Sequence, residues 1–398
     1  MSCMKGMLVG VAAAILAAPV CGGEAPLPFS SASSLSVEPS TGQVAFIRDG
    51  QLLVWDGQRE RLVLPKVDPF AVVGGFAGEH IRLELGDEGG PFEARVVHVE
   101  GKELLRLTSE DVNAGLGAVA TLSLDGTAVW EQRVVYPGLR RELKIRADVP
   151  DFTPVLVSRD LTSGVRRVRI FETGPGSAAP FRLASLVMIG VDDALMTVWG
   201  GAVVRTSKGA ISWQLPGQAS GPPWRVLDVH LRSGLAALRD GQRNLRLLRL
   251  ADGTEQRAWR FAEDPASLER FLAASLGAEA WQRALARARE KRHFVQTFKP
   301  GSPVVASEPG WDAWQAYFLA SGALVAAFGA LPPVILLPDR QEPVAELATA
   351  TAALGIPAIP FAPGKRLEQF RRGETWSVMI FDGRRYLEVP PGVLPWPR

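Results

Sequence analysis

The sequence predicts a multidomain chain: an all-β array of five or six four-stranded units over residues 30–262, then a smaller α/β domain over 263–398. Three observations predict this. Short β-rich runs alternate with Asp-Gly dipeptides up to residue 262. The units recur about every 40 residues, the length of a four-stranded sheet with its turns. From residue 263 the texture changes to helical spacing, and then to apolar runs broken by Pro and Gly.

Residues 1–23 read as an export signal. Lys5 supplies the positive charge, Met7–Ala18 is an apolar run too short to span a bilayer as a mature helix, and Gly22-Gly23 offers a cleavage site. The expected location is therefore the periplasm or the medium. A lipoprotein reading would use Cys21 as the acylated residue, although Val20 stands where a small side chain is wanted. Both cysteines, Cys3 and Cys21, fall in this segment, so the rest of the chain has no disulfide, thiolate nucleophile or thiolate metal site. Lys plus Arg number 44 against 42 Asp plus Glu, a balance that gives no net field to collect nucleic acid. His80, His98, His230 and His293 are the four histidines, a small supply for general-base or metal work. No cofactor or metal is expected.

The repeating units start near residues 34, 66, 116, 152, 184 and 225. In the first, Val44–Arg48 and Leu52–Trp55 flank Asp49-Gly50, a dipeptide suited to a tight hairpin. Asp-Gly recurs at Asp56-Gly57, Asp125-Gly126, Asp240-Gly241 and Asp252-Gly253. Ser123–Trp130 has the serine, turn and hydrophobic strand that open many blades, and Leu235–Gly241 echoes Val44–Gly50. This stretch resembles the bacterial β-propellers of the WD-like and TolB-like type, although no Gly-His…Trp-Asp signature repeats. The resemblance implies five or six blades and a rigid disc with a loop-lined binding face. Trp55, Trp130, Trp199, Trp213 and Trp259 lie in or beside strand patterns and are expected in cores. Gly74–Gly78 reads as a turn connecting blades.

Residues 263–293 read as helix, with Asp264 as N-cap, Pro265 in the first turn, and Leu268, Phe271, Leu272 and Leu276 at 3–4 spacing. After Gly277 a second helix runs through Trp281 and Leu285 to the charged Arg287–Arg292, whose cations suit a helix C-terminus. Beyond it, Phe294–Phe298, Val334–Leu337 and Ile356–Phe361 read as strands, at least partly parallel, and Pro343–Leu354 as a helix. Ser377–Phe381 and Arg384–Val389 read as a hairpin around Asp382-Gly383. The apolar run Ala313–Leu331 is read as a buried crossover helix, with a C-terminal membrane anchor as the alternative.

The order from Ala284 through Val295–Phe298, Leu324–Ala327, Val334–Leu337 and Gly355-Ile356-Pro357 to Val378–Gly383 resembles one half of the phospholipase D superfamily. That resemblance implies a His-x-Lys motif followed by four residues and then an aspartate, the histidine attacking phosphorus and the lysine neutralising the phosphate. Counting back from Asp382 puts Thr375 at the histidine position and Ser377 at the lysine position. Only the aspartate matches, which implies a degenerate copy kept as scaffold or dimer surface. Other catalytic patterns fail: there is no Gly-x-Ser-x-Gly, His-Glu-x-x-His, Walker loop or calcium loop. The expectation is a non-catalytic protein that binds a protein or envelope ligand. The alternative is a phosphodiesterase or other hydrolase with an unorthodox site near Asp382.

Overall fold

The computed structural model describes residues 27–85, 93–108, 121–149, 151, 154–169, 183–198, 203–208, 210–215, 224–242, 244–260, 313–328, 334–339, 367–381 and 384–389, with scattered helical positions from 266 to 286. Seven separate antiparallel sheets follow one another along the chain. The first holds β1 (Ser34–Val37), β2 (Val44–Arg48), β3 (Gln51–Trp55) and β4 (Glu60–Leu64). The second holds β5 (Val72–Ala77), β6 (His80–Leu85), β7 (Glu93–His98) and β8 (Glu103–Thr108). In the third, β9 (Thr121–Leu122) and β10 (Ala128–Val134) are separated by helix α1 (Pro137–Glu142) from β11 (Pro154–Asp160) and β12 (Arg166–Arg169).

The fourth sheet comprises β13 (Leu183–Met188), β14 (Ala194–Val198), β15 (Val203–Ser207) and β16 (Ala210–Leu215). The fifth comprises β17 (Arg225–His230), β18 (Leu235–Arg239), β19 (Leu245–Arg249) and β20 (Glu255–Trp259). The last two are three-stranded among the described residues: β21 (Ala313–Phe318), β22 (Leu324–Phe328) and β23 (Val334–Leu336), then β24 (Leu367–Arg372), β25 (Thr375–Phe381) and β26 (Tyr386–Val389).

Within each sheet the strands pair in chain order, so each sheet is a meander. The first strands neighbour one another from sheet to sheet, β1 with β5, β5 with β9, β13 with β17, β17 with β21, and β24 back to β1. Such a meander must bury both faces, and stacking each sheet against the next does this without a long exposed edge. The result is a seven-bladed β-propeller with first strands innermost. A core fills every interface, from Val54, Ile81 and Val97 between blades 1 and 2 to Tyr317, Leu367 and Ile380 between blades 6 and 7.

Polar bonds repeat the same plan. Ser34 Oγ accepts from Val73 N at 2.9 Å, Ser185 Oγ from Val226 N at 2.7 Å, and Asp228 Oδ2 from Phe318 N at 2.7 Å. Each joins one inner strand to the next. The indole N–H groups of Trp55, Trp130 and Trp213 donate to Arg371 O, Gly190 O and Leu250 O of an adjoining blade. Trp130 and Trp259 are fully buried, as expected of core tryptophans, and Trp199 lies outside the described residues.

Several expectations need correction. The blades number seven, not five or six, and no separate α/β domain follows residue 262, because blades 6 and 7 are built from residues 313–389. The unit read near residue 152 is the outer half of blade 3: Pro154–Asp160 pairs with Ala128–Val134 across the excursion that carries α1. Ala313–Leu331 is neither a crossover helix nor an anchor. It is the β21–β22 hairpin, turned at Ser321-Gly322 with Gly322 at φ +86°, and no described helix is long and apolar enough to cross a membrane.

All described strand pairs are antiparallel, where partly parallel ones were expected after residue 293. Gly74-Gly75-Phe76-Ala77 is the inner strand of blade 2, and only Gly78 begins a turn. The hairpin read at 377–389 is present as β25 and β26, but as the outer strands of blade 7. The phospholipase D resemblance therefore has no α/β frame to rest on. Helical positions between 266 and 286 agree with the helix read there, and Trp281 and Leu285 are buried in the core shared by blades 5 and 6. The segments Phe294–Phe298, Pro343–Leu354 and Ile356–Phe361 lie outside the described residues, as do residues 1–26.

Candidate functional site

Because the seven inner strands run the same way along the axis, the turns leaving their C-terminal ends share one face of the disc. On that face residues from three non-adjacent blades enclose a cavity of about 40 Å³ at the axis. Blade 1 contributes Glu38, Pro39 and Ser40, blade 3 contributes Leu124, and blade 5 contributes Val229, His230, Leu231 and Arg232.

The turns around this mouth are locked to one another. Glu38 Oε2 accepts from Ser40 N and Oγ and from Thr41 N and Oγ1 at 2.5–2.9 Å, while its Oε1 accepts from Gly78 N of blade 2 at 3.2 Å. This buried carboxylate thus spends its lone pairs holding its own turn and the neighbouring blade. Leu124 N and Asp125 N donate to Met188 O and Ile189 O, tying blade 3 to blade 4. His230, buried, has Nδ1 2.8 Å from Ser233 Oγ within its own turn, and its ring stacks at 5.5 Å on Phe318 of blade 6. Ser321 N donates to Gln369 Oε1, and Arg371 N to Gly42 O, carrying the belt through blade 7 back to blade 1.

The mouth is therefore rigid, and its chemistry is that of a surface. A general base must reach a substrate proton, whereas Glu38 and the Nδ1 face of His230 are engaged in structural bonds. Its polar exception is Arg232: among the described residues no carboxylate pairs with this exposed guanidinium. A pocket for a metabolite needs about 300–1,000 Å³, far more than this cavity. Among the described residues no group of three His, Cys, Asp or Glu side chains converges as a metal site.

The residues singled out from sequence lie elsewhere. Thr375 opens β25 and bonds through Oγ1 to Arg372 O, closing the β24–β25 turn. Ser377 lies on the same strand, opposite Phe370. Asp382 and His293 lie outside the described residues. His80 and His98 meet edge to face on blade 2 at 5.5 Å, with Glu79 Oε2 3.3 Å from His98 Nε2. Burial, then the nearby His98 charge, holds the His80 pKa below its ordinary value. Sequence reading passed over Glu38, Leu124, Leu231 and Arg232. The available signal was position alone: each follows an inner strand, a phase that shows only when every blade is correctly placed.

No family model matches the chain, and no curated protein matches it. Among solved structures it is similar to the C-terminal WD40 domain of Sif2, at 13% identity and TM-score 0.39, covering 89% of this chain and 80% of that one. It is also similar to the β-propeller domain of Cps50 (Swd1) from Myceliophteria thermophila, at 11% identity and TM-score 0.45, covering 89% and 96%. The seven-bladed assignment rests on this chain's own sheets.

Proposed function

We propose that this chain is an exported, non-catalytic scaffold that binds a protein or envelope ligand on the face where the inner-strand turns converge. The observation that carries this reading is the use of the polar groups at the mouth. Glu38, His230 and Ser233 hold turns in place, leaving a stiff face with an apolar centre. Such a face suits recognition, because little ordering entropy is lost on binding. Support for export is the pattern of Lys5, Met7–Ala18 and Gly22-Gly23.

The test combines location, capture and catalysis. Fractionation should place the protein outside the cytoplasm, and deletion of Met7–Ala18 should retain it inside. Photo-crosslinkers at Ser40 and Arg232 should capture an envelope component, while crosslinkers on the outer strand β16 should not. Turnover of a chromogenic phosphodiester or ester that Asp382→Ala abolishes would overturn the non-catalytic reading.

A further inference from the structure

We propose that the axial cavity is a socket for one aliphatic side chain of a partner peptide, with a carboxylate beside it. This rests on the scaffold reading of the same face. Size comes first. One water needs about 10–15 Å³ of cavity space, so the ≈ 40 Å³ here is about three waters, the room of a valine or leucine tip.

The lining comes second. Pro39, Leu124, Val229 and Leu231 make it apolar, and Leu231 remains 38% exposed although the turns around it are fixed. Covering that surface with another apolar group removes both from water. Charge comes third, and it names the partner. Glu38, the one carboxylate at the rim among the described residues, is occupied by five hydrogen bonds from Ser40, Thr41 and Gly78. Arg232 at the opposite rim has no carboxylate partner among the described residues. A guanidinium beside an apolar floor favours an Asp or Glu flanking the inserted side chain and disfavours Lys or Arg. The cavity does not enclose a nucleobase or a sugar ring, and an apolar floor beside the Arg232 guanidinium matches an aliphatic side chain next to a carboxylate on a peptide.

The experiment is selection of a displayed library of random seven-residue peptides against the purified protein and two variants. Peptides enriched on the unaltered protein should share Leu, Val or Ile next to Asp or Glu. Arg232→Glu should shift the flanking preference to Lys or Arg. Leu231→Asp should weaken the selected peptides roughly tenfold or more, as loss of an apolar contact of this size predicts. Circular dichroism should show both variants folded, since each change lies on an exposed turn. A motif unchanged by Arg232→Glu would overturn the socket, as would peptides that bind Leu231→Asp equally well. If crosslinks at Ser40 still capture an envelope component in that case, the scaffold reading stands without the socket. If neither peptides nor crosslinks appear, both fall.

Discussion

At Gly126 two requirements coincide on one atom. Its φ is +73°, and a Cβ there would sit 2.3 Å from the Ala77 carbonyl oxygen and 3.1 Å from Gly78 N of the neighbouring blade. Gly50 also has positive φ, at +71°, but open space around it. The left-handed conformation alone costs a side chain roughly 1–2 kcal/mol. Gly50→Ala should therefore lower unfolding free energy by about that amount, and Gly126→Ala by more than about 3 kcal/mol, because a backbone carbonyl must move. Urea denaturation of the two variants compares them directly, and equal losses would refute close contact between the turns of blades 2 and 3.

The pair Glu131–Arg133, with side chains 0% and 4% exposed, makes a second test on blade 3. Arg133 donates from Nε and from a terminal nitrogen to Glu131 Oε2 at 2.9 and 2.6 Å. Removing Arg133 leaves the buried Glu131 carboxylate only the longer pairing with Arg159 at 3.8 Å, so Arg133→Met should cost about 3 kcal/mol, the low end for a broken buried pair. Adding Glu131→Gln should recover much of it.

His80 gives the pH dependence its sign. Its folded pKa lies below the ordinary 6.5, chiefly through burial and then through His98, against opposing effects of a hydrogen bond to the Gly126 carbonyl and of Glu79. The unfolded chain therefore takes up the proton at higher pH. This contribution to stability is full above about pH 6.5 and is lost as pH falls below it toward the folded value. The difference in urea midpoint between pH 7.5 and 5.5 should shrink in His80→Gln, and an unchanged difference would dismiss His80 as its source.

At the scale of elements, legibility follows from burial. β2 and β3 were readable because Val44–Arg48 and Gln51–Trp55 close on Asp49-Gly50, both at positive φ, a turn chemistry visible in two letters. β21 and β22 were not. Ala316, Tyr317, Phe318 and Leu324–Ala326 are buried on both faces, so the alternation that marks a half-exposed strand is missing and the hairpin imitates an apolar helix. The third blade was misdivided for another reason: the excursion holding α1 gives its two halves the spacing of two units. The axial site was illegible because Glu38, Leu124 and Leu231 meet only after three blades are correctly phased.

The helical stretch was legible by its spacing, and its packing makes a prediction. Trp281 and Leu285, one turn apart, enter a core with Leu247 and Trp259 of blade 5 and Leu324 and Leu336 of blade 6. Trp281→Ala should cost about 3–5 kcal/mol and lower the thermal midpoint, whereas Arg283→Ala, exposed on the same stretch, should cost less than about 1 kcal/mol.

For the whole molecule, closure of the ring is the distinctive problem. Chain order connects each blade to the next but leaves blades 7 and 1 without a covalent connection between their strands, and no strand of either enters the other's sheet among the described residues. The seam is held by side chains instead. Phe29 is fully buried, edge to face with Phe370 at 5.2 Å and Phe46 at 6.0 Å, and Leu27, Leu53 and Met379 complete the cluster. Three bonds cross beside it: Arg371 N to Gly42 O, Gly373 N to Gly57 O, and Trp55 Nε1 to Arg371 O. Outside this cluster the inner strands β24 and β1 touch sparsely and without chain continuity, and such a junction opens before the global core. Native-state hydrogen exchange should accordingly show the Arg371 and Gly373 amides opening at lower free energy than the Ala236–Leu238 amides, which sit inside blade 5. Phe29→Ala should speed exchange at the two seam amides far more than at β18. Equal acceleration at both places would mean that the ring opens only by global unfolding, with the aromatic cluster acting as ordinary core and not as the clasp of the disc.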